Sequence, residues 1–336
     1  MMLESISAFE LERKTIEPIR WIVDGLIPQG LTILAGAPKA GKSWLALDLC
    51  LSVALGDPLW GRRVDPNVGD VVYLALEDSD RRLKDRMQKV LDGRKAPSNL
   101  YFITEAPPID GGLFPQMEYL LDCQPNTSLI VIDTLGRIRQ SSSRDGYQKD
   151  YAEMSALKHL ADSQKHGCAV VAVHHLRKMR AFDPFDMISG TNGIMGAADT
   201  ALVLQRSRQS TDGRLAITGR DLDEAEFALK FTEKCRWELI SEDAKAYDFK
   251  NDPLVKFLTD LPAEDGIAFQ GFAEELTIEY QGYCRKNKLK DGLTDIKPSI
   301  ALSRKLNGIS SELWRCRKKM TTQHTNRGTM IFISSL

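Results

Sequence analysis

The sequence predicts an α/β fold: a mostly parallel, twisted sheet covered by helices, followed by a small C-terminal domain. Three observations carry this reading. A glycine-rich turn joins an apolar strand to an apolar helix across residues 31–55. Three later runs, at 71–76, 129–133 and 169–173, have the near-continuous hydrophobicity of parallel strands buried on both faces. Short β-prone segments then follow one another at 201–206, 215–218, 227–231 and 237–240, as in an antiparallel extension of a parallel sheet.

The glycine turn is Gly36-Ala37-Pro38-Lys39-Ala40-Gly41-Lys42-Ser43. It fits the phosphate-loop pattern G-x-x-x-x-G-K-[ST] at every fixed position. Residues 31–35 read as a buried strand and residues 42–55 as a helix without internal Gly or Pro. In that setting, backbone N–H groups of the turn and of the helix N-terminus point at phosphate oxygens. Lys42 adds positive charge at the β- and γ-phosphates of ATP, and the Ser43 hydroxyl is placed to ligate Mg2+. Gly36 and Gly41 admit the phosphates because no Cβ stands in the way. The nucleotide-binding set is therefore residues 36–43 together with Trp44, the next residue of the helix.

Composition limits the remaining choices. A chain of 336 residues suggests two domains, and 43% hydrophobic residues supply a sizeable core. The apolar runs fall short of the roughly 20 residues a membrane helix needs. Residues 1–14 are charged and contain no apolar signal segment, so a cytoplasmic location without membrane contact is expected. The six cysteines are scattered, with no C-x-x-C pair, which favours buried free thiols over zinc or disulfides. The net charge of −1 hides an asymmetry: residues 281–336 hold 12 Lys and Arg against 3 Asp and Glu, a net +9, and residues 1–280 carry −10. A basic tail on an acidic body calls for a polyanionic partner.

Along the chain, residues 18–30 mix apolar residues with turn formers, and Trp21 is assigned to core packing rather than to covering a base. The run at 71–76 ends in Glu77-Asp78, at the carboxyl end of a strand, where open α/β sheets bind ligands. Residues 80–91 read as a charged helix. The run at 129–133 ends in Asp133, a Walker B acid that would hold Mg2+ directly or through water. A polar loop at 136–149 contains Arg137, Arg139 and Arg144, and residues 151–165 read as a helix. The strand at 169–173 ends in His174-His175, where a polar residue can sense the γ-phosphate. A long segment, 176–198, contains Lys178 and Arg180, and loops of that length are usually functional or mobile. Thr211-Asp212-Gly213-Arg214 reads as a hairpin turn. Residues 241–253 read as a linker. Beyond them, 254–258, 269–288 and 298–305 read as helices, and 313–320 as a basic, helix-compatible stretch. A turn at 326–328 leads into a last strand at 329–333. Helices, a basic stretch, a turn and a terminal strand suggest a winged-helix-like domain.

Taken together, these residues resemble the RecA-like ATPases of the RepA type, hexameric replicative helicases of plasmids and phages. The resemblance spans roughly residues 15–240, and the domains follow as 1–245, a RecA-like ATPase, and 250–336, the basic tail. Beyond the motifs above it rests on Ser189-Gly190-Thr191, Leu204-Gln205-Arg206 and Gly219-Arg220-Asp221. It implies that Glu77 is the catalytic glutamate, that Asp133 is the Walker B acid and that His175, rather than His174, is the γ-phosphate sensor. It implies Arg206 as an arginine finger reaching into a neighbouring subunit, with Arg220 as a second candidate. It further implies a homo-oligomer, a hexamer, that binds single-stranded DNA in a central channel lined by the loops at 137–149 and 176–193. A filament-forming recombination or strand-annealing ATPase, and a nucleotide-dependent regulatory or loading module, are the alternative functions.

Overall fold

The computed structural model describes residues 5–139, 146–177, 181, 183–190, 192–207, 210–264, 266–293 and 297–336. The chain divides into two units, Met1–Asp243 and Ala244–Leu336. The first begins with helix α1 (Ala8–Arg13), strands β1 (Trp21–Val23), β2 (Ile27–Pro28) and β3 (Gly30–Gly36), helix α2 (Lys42–Leu55) and strand β4 (Val71–Ala75). It continues with α3 (Asp80–Leu91), β5 (Leu100–Ile103), α4 (Leu113–Cys123), β6 (Leu129–Asp133), α5 (Leu135–Ile138) and α6 (Gly146–Asp162). It closes with β7 (Ala169–His175), α7 (Asn192–Ala197), β8 (Thr200–Arg206), β9 (Asp212–Gly219), β10 (Ala225–Phe231) and β11 (Trp237–Ser241).

Nine strands form one sheet in the order β11-β10-β9-β8-β3-β7-β6-β4-β5. From β8 to β5 neighbouring strands are parallel, and β9, β10 and β11 extend the sheet antiparallel. Each face carries its own core. Leu47, Leu51 and Val53 of α2 pack with Leu83 and Val90 of α3 on one side. Leu113 and Met117 of α4 and Met154 and Leu157 of α6 cover the other. Every residue of β3 and β6 is buried, which is why those segments read as unbroken apolar runs. Trp21 is only half-buried; its neighbours Ile22 and Val23 enter the core instead.

The antiparallel extension corrects one expectation. Asp212-Gly213 is not a hairpin turn: β9 begins there, and Gly213 lies opposite Arg206 in register. A Cβ on Gly213 would stand 2.5 Å from the Trp237 ring, so this glycine makes room for an indole rather than bending the chain. Strand β5 and helix α4 have no counterpart in the sequence reading. β5 is the edge strand of the sheet: its four residues, Leu100-Tyr101-Phe102-Ile103, are apolar but too few to stand out, and none of them is fully buried.

The second unit contains α8 (Ala244–Asn251), α9 (Pro253–Asp260), β12 (Ile267–Phe272), α10 (Ala273–Lys286), α11 (Pro298–Ile309), a 3-10 stretch Ser310–Cys316, and β13 (Lys318–Thr325) and β14 (Gly328–Ser335). Its three strands form an antiparallel sheet in the order β12-β14-β13 over a core that includes Leu258, Leu276, Tyr280, Leu302 and Ile333. Residues 241–253 are not a linker, because α8 occupies most of them. Asp252 then caps α9, its Oδ1 accepting from the Leu254 N–H at 2.7 Å. The helix expected at 269–288 starts only at Ala273: the preceding residues pair with β14, and Glu275 accepts the Phe272 N–H at 2.8 Å. The basic stretch 313–320 is not one helix either. Arg317 turns the chain with φ 56, and Lys318 opens a strand.

Lys318 is buried. Its ammonium donates to the Leu261 carbonyl at 2.9 Å and to the Ser335 hydroxyl at 3.0 Å. Lys318→Ala leaves the partly buried Leu261 carbonyl without its donor, an expected cost of about 1–3 kcal/mol. Lys319, one residue on, is exposed, and its replacement by Ala should stay within about 0.5 kcal/mol of the parent. Thermal unfolding of the two variants side by side checks this; equal midpoints would contradict the structural role of Lys318.

Candidate functional site

The site forms at the carboxyl ends of β3, β4, β6 and β7. Gly36 pairs with His175 of β7 and with Leu204 of β8, and Ala75 pairs with Asp133. The loop after β3 depends on its glycines. A Cβ on Gly36 would lie 2.7 Å from the Leu204 carbonyl and 3.1 Å from the Lys42 side chain. Gly41 precedes α2 with φ 106, a left-handed conformation that favours glycine, and Lys39 is also left-handed with φ 65. The first-turn N–H groups of α2, at Lys42, Ser43 and Trp44, have no partner within the helix and are available to an anion. The Trp44 indole packs elsewhere, edge-on to Phe231 with centroids 6.5 Å apart and 5.2 Å from the Arg86 guanidinium. Its contribution to the loop is therefore its backbone.

Lys42 is buried and folded across the loop. Its ammonium donates to the Gly36 carbonyl at 2.7 Å and to the Ala37 carbonyl at 3.1 Å, and lies 3.3 Å from His175 Nδ1. Burial pushes its pKa down to about 8, against the pull of Asp133 and Glu77. His174 and His175 point to opposite faces, as alternate strand residues do. His174 is buried, its Nε2 2.7 Å from the Ser189 carbonyl, and burial holds its pKa below the ordinary value. Only His175 meets Lys42.

Asp133 is buried, which raises its pKa, while the Ser43 and Tyr73 hydroxyls oppose that shift. Tyr73 donates to Asp133 Oδ2 at 2.8 Å. Asp133 Oδ1 is buried with no hydrogen-bond partner. An orphaned carboxylate oxygen near the Ser43 hydroxyl fits a divalent cation. Among the described residues no three His, Cys, Asp or Glu side chains gather to hold a metal by themselves, so Mg2+ would enter with the nucleotide phosphates. Glu77 is exposed at the end of β4, and Thr134 donates to its Oε1 at 3.0 Å. Its neighbour Asp78 is committed to Arg86 at 2.5 Å and Arg82 at 3.3 Å.

Arg206 ends β8, at the same carboxyl end of the parallel strands. Its Nε donates to the Ser210 carbonyl at 2.6 Å, and its guanidinium stacks 4.4 Å from the Phe231 ring and 5.6 Å from the Trp237 ring. Arg220 is not brought to the site. Gly219 pairs with Thr200 at the amino ends of the parallel strands, and there Arg220 contacts Asp199 at 3.4 Å and the Gly196 carbonyl at 3.1 Å. Of the loop arginines, Arg139 is ion-paired with Asp150 and Glu153, and Arg137 donates to the Leu76 carbonyl at 3.2 Å. Arg144, Lys178, Arg180 and Thr191 lie outside the described residues.

Sequence reasoning missed Tyr73, Thr134 and Trp237. A phenol inside an unbroken apolar strand must find a hydrogen-bond partner, and that signal pointed to Tyr73. The Trp237 indole N–H donates to the Gly41 carbonyl at 3.2 Å, and the same ring would meet a Cβ on Gly41 at 3.0 Å. Nothing local in the sequence announces a contact across that separation.

The fold and the site define a RecA-like P-loop protein. Residues 2–181 match the AAA domain family AAA_25, and the chain belongs to that family. No curated protein sequence matches it. Similar solved structures include a DnaB-like replicative helicase described with its primase interactions, at 15% identity over 68% of this chain and 66% of that one, TM-score 0.50. A second solved structure, an isolated ATPase domain, is similar at 14% identity, over 63% and 85% of the two chains, TM-score 0.49. The KaiC-like protein PH0186 from Pyrococcus horikoshii OT3 is similar at 13% identity, over 67% and 100%, TM-score 0.46. At such identities the likeness is one of fold. Among the described residues no helix is long and apolar enough to cross a membrane.

Tyr73 leaves one oxygen of Asp133 free by binding the other. Tyr73→Phe should leave Mg2+-free nucleotide binding unchanged and weaken the Mg2+ dependence of binding by about 10- to 100-fold, the usual effect of losing an outer-shell partner. A Mg2+ titration of fluorescent nucleotide binding reads this directly. An unchanged Mg2+ midpoint would show that Asp133 needs no such support.

Proposed function

We propose that this protein hydrolyses ATP to move along single-stranded DNA as a homo-oligomeric ring, and that it is a replicative helicase of a plasmid, phage or other mobile element. The observation that supports ATP hydrolysis is the convergence of Lys42, Ser43, Asp133, Glu77 and His175 at the carboxyl ends of the parallel strands. Lys42 and the first turn of α2 bind the phosphates. Ser43 and Asp133 would hold the cation, which would neutralise phosphate charge. Glu77, steadied by Thr134, takes the proton of the attacking water. His175, beside Lys42, reports the γ-phosphate. Arg206 is the finger presented to a neighbour's site, and its hold on Ser210, Phe231 and Trp237 keeps the guanidinium at the carboxyl end of β8. A hexameric ring with DNA in its channel and a cytoplasmic location complete the reading. The C-terminal unit, with its antiparallel β12-β14-β13 sheet and the helices around it, is read as winged-helix-like and as a nucleic-acid-binding module.

Glu77→Gln should bind ATP about as tightly as the parent while hydrolysis falls by about 10²- to 10⁴-fold. Measuring nucleotide affinity beside turnover separates this from a structural defect, in which both fail together. Lys42→Ala and Arg206→Ala should each lower turnover by at least about 10³-fold. Mixed, they should recover part of the activity, since some interfaces then pair an intact Lys42 with an intact Arg206. Mixed oligomers with no recovery at any ratio would exclude a finger in trans. Turnover measured with and without single-stranded DNA, alongside mass in solution, tests the motor itself; a DNA-indifferent monomer would point to the regulatory module instead.

A further inference from the structure

Of the five tryptophans, four are at least partly covered, and Trp314 stands 64% exposed. An exposed indole is available to stack on a planar ligand. Its backbone is held firmly. Leu313 beside it is buried, the Arg317 N–H donates to the Trp314 carbonyl at 3.0 Å, and the Cys316 thiol donates to the Leu313 carbonyl at 3.1 Å. Lys318, anchored on Leu261 and Ser335, fixes the exit of the turn. The indole is thus presented from a rigid base.

The surroundings are cationic. The Arg315 guanidinium lies 5.7 Å from the Trp314 ring and 6.0 Å from the Phe249 ring, with Glu312 3.6 Å away as its counter-charge. Arg317 and Lys319 are exposed. An exposed indole in a stretch that also exposes Arg315, Arg317 and Lys319 matches a ligand that combines a flat aromatic ring with a phosphate. In a duplex the base faces are stacked inside the helix, and an isolated aromatic platform reaches them only where strands are unpaired.

We propose that Trp314 is a stacking platform for an unpaired nucleobase, with Arg317 and Lys319 contacting the flanking phosphates, so that this unit takes single-stranded rather than duplex nucleic acid. The proposal rests on reading the basic unit as a nucleic-acid-binding module and specifies what that module holds. Stacking and phosphate contact have different salt signatures. Phosphate contacts release counterions and set the slope of affinity against salt, about −0.7 per contact on single strands. Stacking releases none, so its loss shifts affinity equally at every salt concentration.

The test uses the full-length chain without nucleotide, a 20-nucleotide oligothymidine and a mixed-sequence duplex, with anisotropy measured across a salt series. Trp314→Ala should weaken single-strand binding by about tenfold at every salt with the slope unchanged, and leave duplex binding alone. Trp314→Phe should restore most of the loss, and the fluorescence quenched by oligothymidine in the parent should shrink in this variant. Arg317→Ala with Lys319→Ala should flatten the slope by about 1.4. Unfolding midpoints equal to the parent's confirm that each variant is folded. If Trp314→Ala changes nothing while the double variant flattens the slope, the platform is wrong and the basic module stands. If none of the variants alters binding, the module reading fails too, and the patch is left to a protein partner. Equal losses on duplex and single strand overturn the preference for unpaired bases.

Discussion

The site depends on the register of three parallel strands that meet at Gly36. The strand β3 lies between β7 and β8, with Gly36 opposite His175 on one side and Leu204 on the other. Side chains alternate along a strand, so a slip of one residue would exchange the faces of His174 and His175. His174 would then meet Lys42, and His175 would be driven against Ser189. The same slip in β6 would bury Ile132 in place of Asp133 beside Tyr73. Full burial of β3 and β6 on both faces prevents it, because each strand is locked between two apolar cores. The hydrophobic core thereby sets the positions that the polar groups need.

This explains what was legible beforehand. The phosphate loop, α2, α3 and β6 could be bounded from sequence because each is a local signal: a glycine pattern, an uninterrupted apolar helix, a charged helix, an apolar run closed by an acid. Glu77, Asp133 and His175 were legible for the same reason, each ending such a run. What failed was non-local. Gly213 suggested a turn, and its absent side chain is explained only by the Trp237 ring packed against it. Phe269 and Phe272 suggested a helix because their pairing with β14 lies some sixty residues further on. Arg220 matched a motif in order along the chain, yet β9 runs antiparallel and places it at the amino ends of the parallel strands, away from the phosphate loop of its own chain.

Trp237 shows why the antiparallel extension belongs to the site. Its ring meets Gly41 of the phosphate loop and Phe231, with centroids 5.0 Å apart, and its carbonyl accepts the Trp60 indole N–H at 2.7 Å. Arg236 beside it reaches Asp48 inside α2 at 2.9 Å. The helix that carries Lys42 and Ser43 is therefore braced by β11 as well as by the central strands. Arg206 stacks on the same aromatic pair. Within one chain the phosphate loop and Arg206 thus share the Phe231–Trp237 aromatic wall.

Charge counted along a sequence is not charge available to a partner. The segment 281–336 carries a net +9, but the buried Lys318 commits its ammonium to the Leu261 carbonyl and Lys305 faces Asp252 at 3.0 Å. In the first unit, Arg139 is held by two buried acids and Lys158 by Asp199 at 2.5 Å. Such cations complete the fold, and a polyanion would have to break their pairs to use them, leaving buried carboxylates uncompensated. Exposed cations carry no such penalty. Arg317 and Lys319 are exposed in the same stretch as the uncovered Trp314 indole, so such groups, rather than the total charge, are the ones a polyanion could reach without breaking the fold.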